Sequence, residues 1–198
     1  MLDKDLIRAN EDIMAISKIA VSIGWGSVSK QTICRVIYLV QVLYSFKHEG
    51  EQNLFDYYHF SATTFGPYTN LLERAIVYLR LNGMLKDDGQ GGLALAIHEE
   101  TPIDEDKRSW LKTVMLMLGK YGERFVFSFI INDPAYENAI KTNNVTGVDT
   151  MSNNNETLKT LRDFRNAFEQ TLEDTSKLKD EKYIELYFDY VFGQIIKS

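Results

Sequence analysis

The sequence has a single cysteine, Cys34, among its 198 residues. That excludes an intramolecular disulfide framework and fits a reducing compartment. No apolar run is long enough to span a bilayer. The start, Met-Leu-Asp-Lys-Asp, carries acids and leads into an amphipathic segment rather than an unbroken signal-peptide core. A cytoplasmic location and no membrane partner are therefore expected.

A basic excess is also missing. The formal net charge is −6. Residues 27–98 hold six bases (Lys30, Arg35, Lys47, Arg74, Arg80, Lys86) against six acids (Glu49, Glu51, Asp56, Glu73, Asp87, Asp88). A domain that binds duplex DNA alone usually shows a basic stripe, because phosphate neutralisation supplies most non-specific affinity.

Paired metal ligands are lacking too. His48, His59 and His98 share no metal spacing with each other or with Cys34. Asp104-Glu105-Asp106 fits a helix start better than a metal cluster. Gly89-Gln90-Gly91-Gly92 matches neither a phosphate loop nor a dinucleotide fingerprint, since no strand precedes it and no helix follows it in the required order. Nothing resembles a nucleophile elbow. No catalytic residue, cofactor or metal is expected, and an enzyme with a dispersed site, dependent on His59 or His98, is the weakest of the functional readings.

What is present is organised around residues 53–97. Pro67 stands where a first helical residue needs no N–H, and Gly83 where a left-handed cap is wanted. Between them Tyr68, Leu71, Leu72, Ala75, Ile76 and Leu79 recur at the spacing of one buried helix face. Two short apolar runs follow, Met84-Leu85 and Leu93 to Ile97, joined by the polar, Gly-rich link 87–92. Helix, strand, turn and strand is the plan of a winged helix. The outward face of the helix holds Asn70, Glu73, Arg74, Val77 and Arg80. With Lys86 and Gln90 on the wing, these are the candidates for contact with a partner or with DNA. Asn70 and Arg74 suit base readout, whereas Glu73 repels phosphate and Val77 favours protein.

Upstream, residues 3–23 predict a helix, with Asn10 and Glu11-Asp12 suited to a start or a bend. Gly24-Trp25-Gly26 breaks it. Ser27 or Ser29 suits the cap of a helix over 30–46 that is apolar nearly all round, and hence surrounded. The aromatic run 54–60 predicts a strand on the wing sheet or an extended connection. Downstream, helices are expected over 104–120, 135–141 (opened by Asp133-Pro134), 156–177 and 180–196, with a short apolar segment over 125–131. The Asn/Thr-rich stretch 142–155 has no periodicity and predicts a flexible loop. The last helix carries Tyr183, Tyr187, Phe188, Tyr190 and Phe192, too many aromatics for one-sided packing, which makes them interface candidates if they are not core.

The stretches Tyr57-Tyr58-His59-Phe60, Phe65-Gly66-Pro67-Tyr68 and Leu79-Arg80-Leu81-Asn82-Gly83-Met84-Leu85 resemble the Panacea-type antitoxin domain. The overall plan also resembles the winged-helix middle components of bacterial three-component systems built on an SMC-like ABC ATPase, Lamassu-type anti-phage defence among them. The likeness covers about residues 28–97, and residues 104–198 resemble no named family. It implies a non-enzymatic partner-binding protein of the bacterial cytoplasm and carries over no catalytic residue.

The expected fold is thus mainly α with a small β wing: a winged helix-turn-helix domain over 1–98, then a helical C-terminal region over 99–198. The expected function is a non-catalytic adaptor or regulatory subunit whose partner is an SMC-like ATPase or an effector or toxin, in an antiviral defence or toxin–antitoxin system. A homodimer stays open. The alternative is a dimeric winged-helix DNA-binding transcription regulator.

Overall fold

Helix α2 (Lys30–Lys47) is apolar on every side and is buried on every side: Ile33, Ile37, Tyr38, Val40, Val42 and Phe46 have no exposed surface. Each such side chain contributes about 1.5–3 kcal/mol by leaving water. The helix is started by Ser29, whose hydroxyl accepts the Thr32 N–H at 3.0 Å. Ser27 instead donates to Asp88 Oδ2 at 2.6 Å.

The computed structural model describes residues 3–97, 103–131, 134–143, 145–150, 155–172, 174–175 and 177–197. The chain is mainly helical, with two small antiparallel sheets of three strands each. No helix among the described residues is long and apolar enough to cross a membrane. Helix α1 (Lys4–Ser22) runs unbroken past Asn10 and Asp12. It packs on α3 (Asn70–Leu81) and on α4 (Glu105–Tyr121), while α2 packs on α4 and on α7 (Glu156–Glu169). Asp104 caps α4 by accepting two backbone N–H groups, so the acids at 104–106 serve a helix start. Helix α5 (Glu123–Ile131) occupies the short apolar segment, and α6 (Pro134–Thr142) follows. Asp133, expected to cap α6, lies outside the described residues, as does His98. Helix α8 (Asp180–Lys197) closes the chain.

The first sheet has the order β1 (Ser27–Ser29), β5 (Gly92–Leu95), β4 (Leu85–Asp87), with Val28 opposite Leu93 and Leu85 opposite Leu95. Its β4–β5 turn is held by Asp88, whose Oδ1 accepts the N–H groups of Gln90 and Gly92. Gly83 ends α3 at φ 67°, and the Met84 N–H reaches back to the Leu79 carbonyl at 2.9 Å. This is the Schellman cap that the glycine promised.

The second sheet has the order β3 (Gly66–Tyr68), β2 (Phe60–Thr63), β6 (Thr146–Val148). It corrects three expectations. Pro67 is not the first residue of α3 but lies in β3, opposite Ala62. An edge strand tolerates the missing N–H as well as a helix start does. Tyr68 is consequently on a strand and exposed, not on the buried helix face. The aromatic run does not join the β1-β5-β4 sheet: residues 54–57 form turns, and Phe60 opens β2. The loop expected near 142–155 contains β6, which pairs with β2 through Phe60 and Val148. Beyond it Thr150 is buried, with its hydroxyl bonded to Gln41 Oε1. Gly66 has φ 114°, and a Cβ there would lie 2.6 Å from the Phe127 ring. The glycine of the Phe-Gly-Pro motif is thus demanded by contact with α5.

Two polar clusters tie the irregular segment 53–58 into the core. Gln41, wholly buried in α2, donates to the carbonyls of Phe55 (2.8 Å) and Tyr58 (3.0 Å). Asn53 donates to the Gln41 carbonyl at 2.8 Å. Asp12, wholly buried in α1, accepts from the hydroxyls of Tyr57 and Tyr58, with Lys107 Nζ of α4 at 3.5 Å. Burial pushes the Asp12 carboxyl above its ordinary range, against the pull of Lys107 and both hydroxyls. An acid whose folded pKa is raised adds stability below its unfolded value near 4, and that stability is lost as pH rises through the folded value. Lys107→Met should therefore cost about 3 kcal/mol at pH 7, where Asp12 is left buried without its cation. The cost should shrink toward pH 4, as urea melts at the two pH values will show.

Candidate protein-binding face

The face formed by α3 and the β4–β5 hairpin carries the candidate contact residues. Its amphipathic spacing seats Leu72, Ala75, Ile76 and Leu79 on the core and turns the intervening residues outward. Asn70, Arg74, Val77 and Arg80 are exposed on α3, with Lys86 and Gln90 exposed on the β4–β5 hairpin. Glu73 is half-buried and accepts from Lys30 of α2 at 3.1 Å.

The cations of this face are mostly committed inside the chain. Arg74 lies 3.8 Å from Asp3 at the start of α1, Lys30 pairs with Glu73, and Arg80 donates to Asp87 on β4. Exposed pairs of this kind contribute little to stability, about 0–1 kcal/mol each. Their consequence is electrostatic: Lys30, Arg74 and Arg80 already face carboxylates, which leaves Lys86 as the cation of this face without an ion pair among the described residues. Asp88 adds a further negative charge at the β4–β5 turn, and the Ser27 hydroxyl with two backbone N–H groups holds its carboxyl below the usual range.

The same face exposes apolar surface. Val77 is 47% exposed and Leu81 83% exposed, one helical turn apart. Leu81 escaped the sequence reasoning, which stopped the outward face at Arg80. Its spacing of four from Val77 was the available signal. Phe65, 78% exposed on the turn before β3, escaped as well. Scattered exposed apolar residues are normal, but an adjacent pair on a helix flanked by ion pairs is the composition of a contact patch.

The interface candidates on α8 belong elsewhere. Tyr183, Tyr187, Phe188 and Phe192 are buried within the chain, and Tyr190 is partly buried against the same core. Of the two readings left open for them, core or interface, their burial supports the core. Helix α8 is apolar on more than one side because it packs on α4 and on α7. Phe168 of α7 meets Tyr183 and Tyr187 edge-on, and the Tyr187 hydroxyl donates to the Leu161 carbonyl.

The remaining chemistry-bearing side chains are likewise held in place. His48 stacks on Tyr44 and bonds Asp180 at 2.6 Å, with Glu51 at its other ring nitrogen. His59 is exposed. The Cys34 thiol is pushed up to about 12, chiefly by burial, which removes it from thiolate chemistry at neutral pH. No group of three or more His, Cys, Asp or Glu side chains able to hold a metal ion converges among the described residues. No family model, curated protein or solved structure matches this chain.

The paired cations generate a test. The wild-type chain should bind a duplex weakly and with little salt dependence. The double substitution Glu73→Gln with Asp87→Asn, which frees Lys30 and Arg80, should steepen the log K against log salt slope by about 2. A titration of labelled duplex at several salt concentrations measures it.

Proposed function

We propose that this chain is a non-catalytic adaptor or regulatory subunit that works by binding a partner protein. The observation that carries the reading is the state of the α3–wing face: exposed Val77 and Leu81 set among cations already paired with Glu73, Asp3 and Asp87. Such a face offers apolar area to a protein and little free charge to phosphate.

The fold proposed for residues 4–95 is a winged helix-turn-helix. Supporting it are the element order α1, β1, α2, β2, β3, α3, β4, β5, the packing of α1 on α3, and the sheet order β1-β5-β4, in which the β4–β5 hairpin directly follows α3. The partner class rests on the resemblance of residues 28–97 to Panacea-type antitoxin domains and to middle components of Lamassu-type systems. On that footing the partner is an SMC-like ATPase, an effector or a toxin, and the setting is the cytoplasm of a bacterium in antiviral defence or toxin–antitoxin control.

Affinity purification from the native cell, with and without nuclease, tests the reading. A stoichiometric protein partner should survive nuclease. Val77→Asp or Leu81→Asp should weaken that complex by about 2 kcal/mol or more while leaving the thermal melt of the isolated chain unchanged. Recovery of DNA with no protein partner would overturn the reading in favour of a DNA-binding regulator that uses Asn70, Arg74, Lys86 and Gln90.

A further inference from the structure

Helix α2 ends where α4 and α8 begin, and a hollow of about 380 Å³ lies between the three ends. One wall is aromatic. Tyr44 stacks on His48 with ring centroids 4.5 Å apart, and Trp110 meets both rings edge-on. Leu54 adds an aliphatic side chain, and Asp106, Asp180 and Glu181 supply carboxylates from the first turns of α4 and α8.

One polar group on this wall has no partner. Tyr44 is only 8% exposed, yet its hydroxyl makes no hydrogen bond among the described residues. Burial, and then the charges of Glu51, Asp106, Asp180 and Asp104, push the phenol above its ordinary value. It therefore stays a neutral hydroxyl whose lone pairs face the carboxylates around the hollow. Buried polar groups are almost always satisfied, so a hydroxyl left open here points to an occupant that the chain does not supply.

The charges around the hollow do not cancel. Five carboxylates stand there, Glu51, Asp104, Asp106, Asp180 and Glu181, with two lysines among them, Lys47 and Lys179. Lys47 pairs with Asp180 at 3.4 Å, and Lys179 acts on Glu181. Glu51 is paired only with the His48 ring. Asp104 caps the backbone of α4, and Asp106 has no ion pair among the described residues. The next two bases along α4 are engaged elsewhere, Lys107 with Asp12 and Arg108 with Glu105. Helix starts attract acids, but each of the two N-termini brings only about half a positive charge, and the C-terminus of α2 returns about half a negative one. The surplus stays negative even with His48 charged.

Surplus carboxylate, an open acceptor hydroxyl and aromatic side chains together suit an organic cation. A bare metal ion fits less well, since no group of three or more His, Cys, Asp or Glu side chains able to hold one converges among the described residues. The volume falls in the range of small-ligand sites, roughly 300–1,000 Å³. We propose that the hollow between the ends of α2, α4 and α8 binds an alkylammonium or alkylguanidinium group, with the cation at Asp106 and the Tyr44 hydroxyl and the stem along Leu54 and Trp110. The proposal goes beyond the adaptor reading and does not depend on it, because a free amine and a basic side chain of a partner present the same chemistry.

The test uses the full chain carrying Trp25→Phe, which leaves Trp110 as the sole indole of a sequence with two tryptophans. Fluorescence is followed at constant ionic strength, and calorimetry on the unaltered chain repeats each titration without the reporter. Butylguanidinium should bind saturably with Kd about 1 mM, and its neutral isostere butylurea should not bind. Tyr44→Phe and, independently, Asp106→Asn should each raise Kd about tenfold. The first removes a hydroxyl that bonds nothing and the second an exposed carboxylate, so the thermal melt should hold. Glu105→Gln deletes the same charge one residue away, off the hollow, and should leave Kd unchanged. Equal binding of butylurea overturns the proposal. So does an equal effect of Glu105→Gln and Asp106→Asn, which would reduce the site to a diffuse acidic field, and so does saturation by Mg²⁺ where butylguanidinium gives none. Two further probes separate the sources. Tighter binding of acetyl-Gly-Gly-Arg-Gly-Gly-amide than of spermidine supports a partner's side chain as the occupant, and the reverse order supports a free polyamine, provided that Asp106→Asn weakens the tighter probe.

Discussion

A helix with apolar side chains on all sides cannot rest against a single layer. Either neighbours from several directions cover it or its surface stays in water at about 25 cal/mol for each Å² left exposed. Helix α2 therefore dictates much of the architecture. Helices α4 and α7 cover it, together with strands from both sheets. Because α4 and α7 come from the second half of the chain, one continuous hydrophobic core holds residues from both sides of residue 98. Two polar side chains that enter this core, Gln41 and Asp12, do so in networks. Gln41 satisfies two carbonyls of a segment that has no sheet partner of its own. Asp12 is surrounded by two hydroxyls and an ammonium group. Each network joins elements distant in sequence, and each would be costly to leave half made.

The same economy of charge governs the surface. The chain is acidic, and its acids are placed against its bases: Asp3 on Arg74, Glu73 on Lys30, Asp87 on Arg80. In water each pair is weak. Together they remove from the α3 face the field that would draw in a polyanion, and they leave apolar area as its main offering.

Local signals were the legible part of this sequence. The helix caps at Ser29, Asp104 and Gly83 and the stripe of α3 all reported on residues within one or two turns, and the structure places them there. The Gly-rich turn at 88–91 was equally local. What misled was ambiguity of cause. Proline suits a helix start and an edge strand for the same reason, its missing N–H, so Pro67 could be read as either. Aromatic residues are concentrated in cores and in interfaces because both exclude water, so composition alone did not place Tyr187 or Phe192. Helix α7 stops at Glu169 although apolar spacing continues to Leu172. There the Thr171 hydroxyl bonds the Phe168 carbonyl at 2.6 Å and competes with the helix. Strand β6 was invisible because three residues carry no period, and its partner lies in the other half of the sequence. The exposed pair at Val77 and Leu81 was half legible, since only the first fell inside the stripe considered.

The pairing of β6 with β2 has a consequence for the order in which the molecule is made. Strand β2 is the middle strand of its sheet, yet one of its neighbours is synthesised long after it. A ribosome-bound chain that has emerged through β5 carries β2 with one side open. Its Gln41 carboxamide then still lacks the Thr150 hydroxyl. Closing so long a loop is entropically slow. Through that interval the growing polypeptide displays a free strand edge, which is the kind of surface that a chaperone or a neighbouring nascent chain takes up.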